Sequence, residues 1–378
     1  MLQRAIQLHA DALVADMHCD TVLYVKAGRD LSLWNDDGHV DIPRLRAGGV
    51  NLQLFACFVH SSLKGIDAVR RAEELLDLLE HELNRNKQTI GLCTTAEEAR
   101  EIIADGRIAV VLGIENGQAI NSDLKTLESY YRRGVRCMTL THTASHEWCS
   151  SSSDAGSELD GLTGFGRDVV RRMNDLGMLI DVSHVSPGAV EDVLKVSRDP
   201  IVASHSCVQA LCDHDRNLTD AQIRAIAESG GLIGVNFCGD FLSQERCAVS
   251  SKFIGDHPTQ FEQVDRLMSG EYEASEYTAR CSELDGFLKG WQGVVREMPT
   301  TVSTVADHID HIVRLVGADH VGIGSDFDGI SFPPDRLSDC SQFPNLTEEL
   351  IRRNYTEADI RKILGGNFMR VFSEVCGG

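Results

Sequence analysis

Eight short apolar segments of strand length recur along the chain, at 13–18, 51–58, 108–115, 136–142, 178–184, 201–205, 232–238 and 320–326. Most are apolar along their whole length instead of alternating, the pattern of strands covered by helices on both sides. Helix-patterned stretches stand between them, among them 66–86, 124–133, 164–176, 187–196 and 219–228. Alternating strand and helix imply crossover connections and therefore a parallel sheet. Eight such units predict an α/β fold closed into a (β/α)8 TIM barrel. The competing doubly wound open sheet is poorly supported. No Gly-x-Gly-x-x-Gly follows the first strand, and Gly322-Ile-Gly324 has no third glycine in register.

Local punctuation agrees with this division. Thr219-x-x-Gln222 resembles a capping box, Thr347-x-x-Leu350 stands where an N-cap is expected, and Gly177 and Gly230 sit where helices hand over to strands. The connection between the seventh and eighth strands is roughly twice as long as the others; it is polar and carries Tyr272, Tyr277, Phe287 and Trp291. It predicts an enlarged, partly helical loop over 240–300 near the barrel mouth, within one domain spanning residues 1–378.

Composition narrows the function class. The chain has 36 Lys and Arg against 57 Asp and Glu, a net charge of −21. Such a surface repels phosphate backbones and anionic lipid, so no nucleic-acid or membrane partner is expected. The longest apolar runs, such as 108–114, are too short to cross a bilayer, and the first residues lack the pattern of a signal peptide. The 12 cysteines are scattered and none forms a Cys-x-x-Cys pair. Reduced, mostly buried thiols in a cytoplasmic protein are the expectation.

The strand ends carry the chemistry. The first ends in Asp16-Met-His18-Cys19-Asp20, the third in Glu115, the fourth in His142, the fifth in Asp181-Val-Ser-His184, the sixth in His205 and the eighth in Asp326-Phe-Asp328. In a barrel these ends converge on one face, where active sites are built. A lone buried histidine is more often a hydrogen-bonded core residue than a ligand. Histidines and carboxylates gathered from six strand ends are different, because only a cation relieves their mutual repulsion and desolvation. His18 and Asp20, two apart on a strand, point the same way, while Cys19 points to packing. His184 and His205 form a second pair, and Glu115 stands between the two. The arrangement predicts two metal positions sharing a carboxylate. Nitrogen and oxygen donors suit Zn2+ best and also admit Mn2+ or Co2+. His9, His39, His60, His81, His257, His311 and His320 lie on helix-like or loop segments and read as solvated or structural.

Seven stretches together resemble the membrane (renal-type) dipeptidases and their bacterial relatives, metallopeptidases of the amidohydrolase superfamily. They are DMHCDT (16–21), GIENGQAI (113–120), MTLTHTASHEW (138–148), LTGFGRDVVRRMNDLGMLIDVSHVS (162–186), PIVASHSCVQALCDHDRNLTD (200–220), ADHIDHIVRLVGADHVGIGSDFDG (306–329) and GGNFMRVF (365–372). The resemblance is weakest over 60–100 and 240–300. It implies that His18 and Asp20 bind one Zn2+, that His184 and His205 bind the other, and that Glu115 bridges them. It further implies that His142 polarises the substrate, Arg216 binds it and Asp326 is the catalytic aspartate. Without the resemblance, Arg216 reads as a surface loop residue.

The activity so implied is hydrolysis of dipeptides, with tolerance of a C-terminal D-residue, by a hydroxide held between the two metals. Two alternatives follow from the same residues. One is a binuclear amidohydrolase acting on a non-peptide amide or lactam. The other is a catalytically silent barrel that binds a ligand, a reading weakened by the presence of every expected ligand residue. A homodimer is compatible with either.

Overall fold

The computed structural model describes residues 2–268 and 274–377, so Tyr272 lies outside the described residues. The described residues form nine strands: β1 (Ala15–Asp16), β2 (Leu52–Phe58), β3 (Ile90–Leu92), β4 (Ile108–Glu115), β5 (Val135–Thr139), β6 (Leu179–Asp181), β7 (Val202–Ser206), β8 (Leu232–Val235) and β9 (Val321–Ile323). Eight of them form a parallel ring in the order β2-β1-β9-β8-β7-β6-β5-β4, closed by β2 pairing with β4 from Leu52↔Ala109 to Phe58↔Glu115. The closed eight-stranded barrel expected from the sequence is therefore the observed fold. β3 pairs with β4 outside the ring. Its three residues carry too short an apolar pattern to be read as a strand from sequence.

Both faces of these strands are buried. Ala15, Leu52, Ala109, Leu179, Val202 and Leu232, all at or near strand starts, share one apolar cluster with Phe368 and Phe372 of the helix Asn367–Cys376. This helix closes the N-terminal end of the barrel. Val110, Leu112 and Ile114 of β4 point the other way, into the larger cluster formed with the surrounding helices. With one end plugged by aromatic rings, the polar strand ends are left to the opposite face.

The helices Gly164–Leu176 and Pro187–Val196 have the predicted bounds. Thr219 and Gln222 form a complete capping box ahead of Asp220–Glu228, and Gly177 ends its helix in the left-handed region at φ 71°. Thr347 departs from expectation. It lies inside the helix Phe343–Arg352, not at its start, and its hydroxyl meets His9 Nδ1 at 2.7 Å. A buried tertiary partner, invisible to local pattern, gives that threonine a different use.

Several strands stop earlier than the apolar runs suggest. β5 ends at Thr139, β6 at Asp181 and β9 at Ile323, so His142, His184 and Asp326 each lie three residues beyond a strand. His184 and Asp326 adopt positive φ of 68° and 59°. That geometry turns the chain out of the strand direction, which an apolar pattern does not reveal. β1 spans only Ala15–Asp16, so the two-residue strand alternation proposed for His18 and Asp20 is not what aligns them.

The long connection after β8 holds the helices Gly239–Leu242, Gln244–Asp256, Pro258–Met268 and Ala274–Arg296 before Val302–Val316 leads into β9. Val264, Leu267, Leu284, Phe287, Trp291 and Val295 form an apolar cluster of their own there. Among the described residues no helix is long and apolar enough to cross a membrane.

Candidate metal centre and active site

The ends of β1 and β9 are laced together past their last paired residues. The Asp326 amide donates to the His18 carbonyl at 3.2 Å, and the Asp20 amide donates to the Phe327 carbonyl at 2.9 Å. Asp16 anchors this junction from below, accepting from the Ser325 amide (2.8 Å), the Ser325 hydroxyl (2.6 Å) and Gln53 (3.1 Å). His18, Asp20 and Asp326 are thereby brought to one point. His18 Nε2 stands 3.4 Å from Asp20 Oδ2, 3.5 Å from Glu115 Oε2 and 3.9 Å from Asp326 Oδ1.

The other oxygen of Glu115 faces the second pair of histidines. Its Oε1 lies 3.1 Å from His184 Nε2 and 3.4 Å from His205 Nε2. The tautomer of His205 follows from its neighbours. Ser204 donates its hydroxyl to Asp181 Oδ2 at 2.5 Å, so its oxygen accepts from His205 Nδ1–H at 2.8 Å. The lone pair of His205 is then on Nε2, aimed at Glu115. Asp181 is held in turn by Thr139 Oγ1 (2.6 Å) and the amides of Ser183 (3.0 Å) and Ser204 (2.8 Å).

Electrostatics bind the cluster tightly. Burial alone would raise the Glu115 carboxyl, but the proximity of His18, together with His184 and His205, holds it well below the usual carboxylate range. Burial and the nearby charge of Glu115 push Asp20 well above that range. His184 is held well below the ordinary imidazole value by burial and the Arg216 cation. Burial takes His142 down to about 4, leaving a neutral ring at neutral pH. That ring packs against His184 at 4.3 Å and Phe58 at 4.4 Å.

Three donor groups could each hold a cation: His18–Glu115–His205, Glu115–His142–His184 and His18–Asp20–Asp326. The donor chemistry fits divalent ions that prefer imidazole nitrogen and carboxylate oxygen. Among the described residues, His18 Nε2 and Asp20 Oδ1 are buried in this convergence without a hydrogen-bond partner, the state of ligand atoms rather than of structural polar groups.

All eight sequence-derived site residues lie in or beside this cluster. Arg216, on the loop after β7, is buried; it donates from Nη2 to the His205 carbonyl at 3.1 Å and lines a cavity of about 370 Å3 together with Asp20, Glu115, His142, His184 and Asp326. Asp328 is not part of it. Its carboxylate turns away to Arg29 Nη1 (2.9 Å), Thr21 Oγ1 (2.8 Å) and the His39 amide (2.7 Å). Sequence reading missed Asn236, whose Nδ2 donates to Asp326 Oδ2 at 2.8 Å. A lone asparagine within the apolar run 232–238 is the signal that could have found it.

The sequence pattern of the family described as Membrane dipeptidase (Peptidase family M19) matches residues 2–376. Dipeptidase 3 of Rattus norvegicus is 30% identical over 99% of this chain and 67% of its own length. Dipeptidase 3 of Homo sapiens is 31% identical over 93% of this chain and 62% of its own. The chain thus spans about two thirds of the length of these curated relatives. Among solved structures, the probable dipeptidase PvdM from Pseudomonas aeruginosa superposes with a TM-score of 0.83 at 28% identity, covering 100% of this chain and 98% of that one. With its sequence matched from end to end and its barrel shared with a relative of equal length, this chain belongs to the membrane dipeptidase family, peptidase family M19.

Proposed function

We propose that the chain is a zinc-dependent dipeptidase with a binuclear centre, and that residues 1–378 act as one catalytic domain. The observation that carries this reading is Glu115, whose two oxygens face different partners: Oε2 meets His18, and Oε1 meets His184 and His205. His18 and Asp20 would hold one ion and His184 and His205 the other, with Glu115 contributing to both. When bound, such ions polarise the scissile carbonyl and bring the pKa of water toward about 7. Mn2+ and Co2+ are accepted by the same donors.

The remaining steps belong to side chains. Asp326 has one oxygen held by Asn236 and the other toward His18, so it takes the proton of the attacking water and hands it to the leaving amine. His142, neutral and packed between two rings, donates a hydrogen bond to the developing oxyanion, an interaction commonly worth about 3–4 kcal/mol. Arg216 lines the cavity, and its guanidinium binds a substrate carboxylate. A metallopeptidase from Rhodobacter sphaeroides, 25% identical over 97% of this chain with a TM-score of 0.76, is described as liganded with a phosphinate mimic of the dipeptide L-Ala-D-Ala. That description supports a dipeptide substrate here, including one with a C-terminal D-residue. Ten of the 12 cysteines are buried, in keeping with reduced core thiols, which supports a cytoplasmic setting.

The decisive experiment is turnover of L-L and L-D dipeptides by the zinc-loaded protein, followed by Asp326→Asn. Hydrolysis is expected, with kcat falling on the order of 10²–10⁴-fold in the variant. Asparagine tolerates the positive φ at this position, so the fold is retained. Cleavage of lactams or other amides but of no dipeptide would favour the broader amidohydrolase reading.

A further inference from the structure

The cavity over the cluster has two unlike walls. Its floor is polar, built from the strand ends described above. Its far wall comes from the helices after β8 and is apolar: Ile254, Phe261, Val264 and Trp291, with Phe332 from the segment after β9. The rings of Phe261 and Phe332 meet that of Trp291 edge-on, at 5.9 and 5.2 Å between centroids. A chain of buried and partly buried polar bonds fixes this wall. Trp291 Nε1 donates to Ser250 Oγ at 2.9 Å, and Ser250 donates to Asp240 Oδ2 at 2.6 Å. Arg246 donates from Nε to Asp240 Oδ1 at 3.1 Å and from Nη2 to the Phe332 carbonyl at 2.8 Å.

Among the described residues, the charges beside the wall are the carboxylates of Asp240 and Asp265 and the guanidinium of Arg246. Asp240 is bound to Arg246, and Asp265 to His60 Nε2 at 2.8 Å. An anionic side chain entering here would lose its water and meet the carboxylates of Asp240 and Asp265. A large apolar one would replace water on three aromatic rings. Resting on the dipeptidase reading, we infer that this wall selects dipeptides in which one residue bears a large apolar or aromatic side chain, with Phe261, Trp291 and Phe332 as the specificity-determining residues. The dipeptide backbone, with its two charges and scissile bond, takes the polar floor, and the side chain covers the aromatic surface opposite it. A cavity of about 370 Å3 is large enough for a small ligand of this kind.

The test uses the metal-loaded full chain and compares kcat/KM for Ala-Ala with Phe-Ala, Ala-Phe, Glu-Ala, Ala-Glu, Lys-Ala and Ala-Lys. At one of the two positions phenylalanine is expected to exceed alanine by about 10–100-fold and to exceed lysine, and glutamate is expected to fall below alanine. Phe261 is only partly buried, so Phe261→Ala is expected to fold. It should lower the phenylalanine-to-alanine ratio by about tenfold, mainly through KM, while Phe261→Leu keeps most of it. Equal or lower turnover of phenylalanine at both positions overturns the inference. So does an unchanged ratio in a Phe261→Ala protein whose unfolding midpoint matches that of the parent. Hydrolysis without preference removes only the specificity wall, whereas hydrolysis of no dipeptide removes the dipeptidase reading beneath it.

Discussion

The Nε2 atoms of His184 and His205 stand 2.9 Å apart, and both face Oε1 of Glu115. Ser204 and Asp181 fix His205 with its lone pair on that side. Lone pairs and a carboxylate oxygen so close together repel unless a proton or a cation lies among them, and a divalent ion turns the same geometry into coordination.

Metal removal should therefore destabilise the fold as well as stop turnover. Chelation is expected to lower the unfolding midpoint by several degrees, since a ligand at about 1,000 times its Kd contributes about 4 kcal/mol. Metal analysis of protein never exposed to chelator should return two ions per chain. A midpoint indifferent to both chelator and zinc, in protein shown to be metal-loaded at the start, would contradict this account of the cluster.

Asp181 touches no substrate-facing group, yet it sets the His205 tautomer through Ser204. Asp181→Asn keeps the shape but replaces one acceptor oxygen by a donor, which disturbs the Ser204 hydroxyl and frees the ring to change tautomer. Zinc affinity, measured by competition with a chromophoric chelator, is expected to fall about 10–100-fold. Unchanged affinity would show that His205 is oriented by something else.

Gly329 stands where two carboxylates pass. A β-carbon there would lie 2.2 Å from Asp20 Oδ2 and 2.5 Å from Asp326 Oδ1. Gly329→Ala must push one or both carboxylates out of the cluster. Activity is expected to drop at least about tenfold, with little change in the unfolding midpoint, because the displaced groups are side-chain ends and no backbone clashes. Wild-type turnover in this variant would mean that neither carboxylate needs its present position.

His308 lies away from the metal cluster and gives the fold a calculable response to acid. It accepts from the Val208 amide at Nδ1 (3.1 Å) and donates from Nε2 to the Leu242 carbonyl (3.0 Å), so the buried ring is neutral. Burial lowers its pKa to about 4. The unfolded chain, with an imidazole pKa near 6.5, takes up the proton first as pH falls. The stabilisation from the neutral ring is complete above about pH 6.5, is lost between there and about pH 4, and amounts to about 2 kcal/mol of loss at pH 5. Urea unfolding at pH 7.5 and pH 5 should show this fall, and His308→Gln should reduce the difference between the two pH values. An identical fall in the variant would assign the acid sensitivity to other groups.

Much of the site is legible in the sequence because barrel strand ends are adjacent in space even where they are far apart along the chain. Histidine or a carboxylate after each of six apolar runs is a local observation, and closure of the barrel makes it a cluster. Asn236 and Ser204 escape such reading. Their importance lies in which atom they bond: a lone asparagine in an apolar run marks Asn236 as unusual, but neither it nor Ser204 announces its partner on another strand. Arg216 is reached only through family resemblance, because a loop arginine buries or exposes itself according to how the loop folds back.

Sequence alone determines the alternating α/β order, the closed barrel and the types of donor at its polar end, since these follow from burial patterns that repeat locally. The tertiary structure alone decides which donors face one another. His184 and Asp326 reach the cluster through left-handed turns, Asp328 leaves it for Arg29, and the helices after β8 lay an apolar wall over it. Those outcomes depend on contacts between segments tens to hundreds of residues apart, and the free energy of such contacts is not written in any one segment.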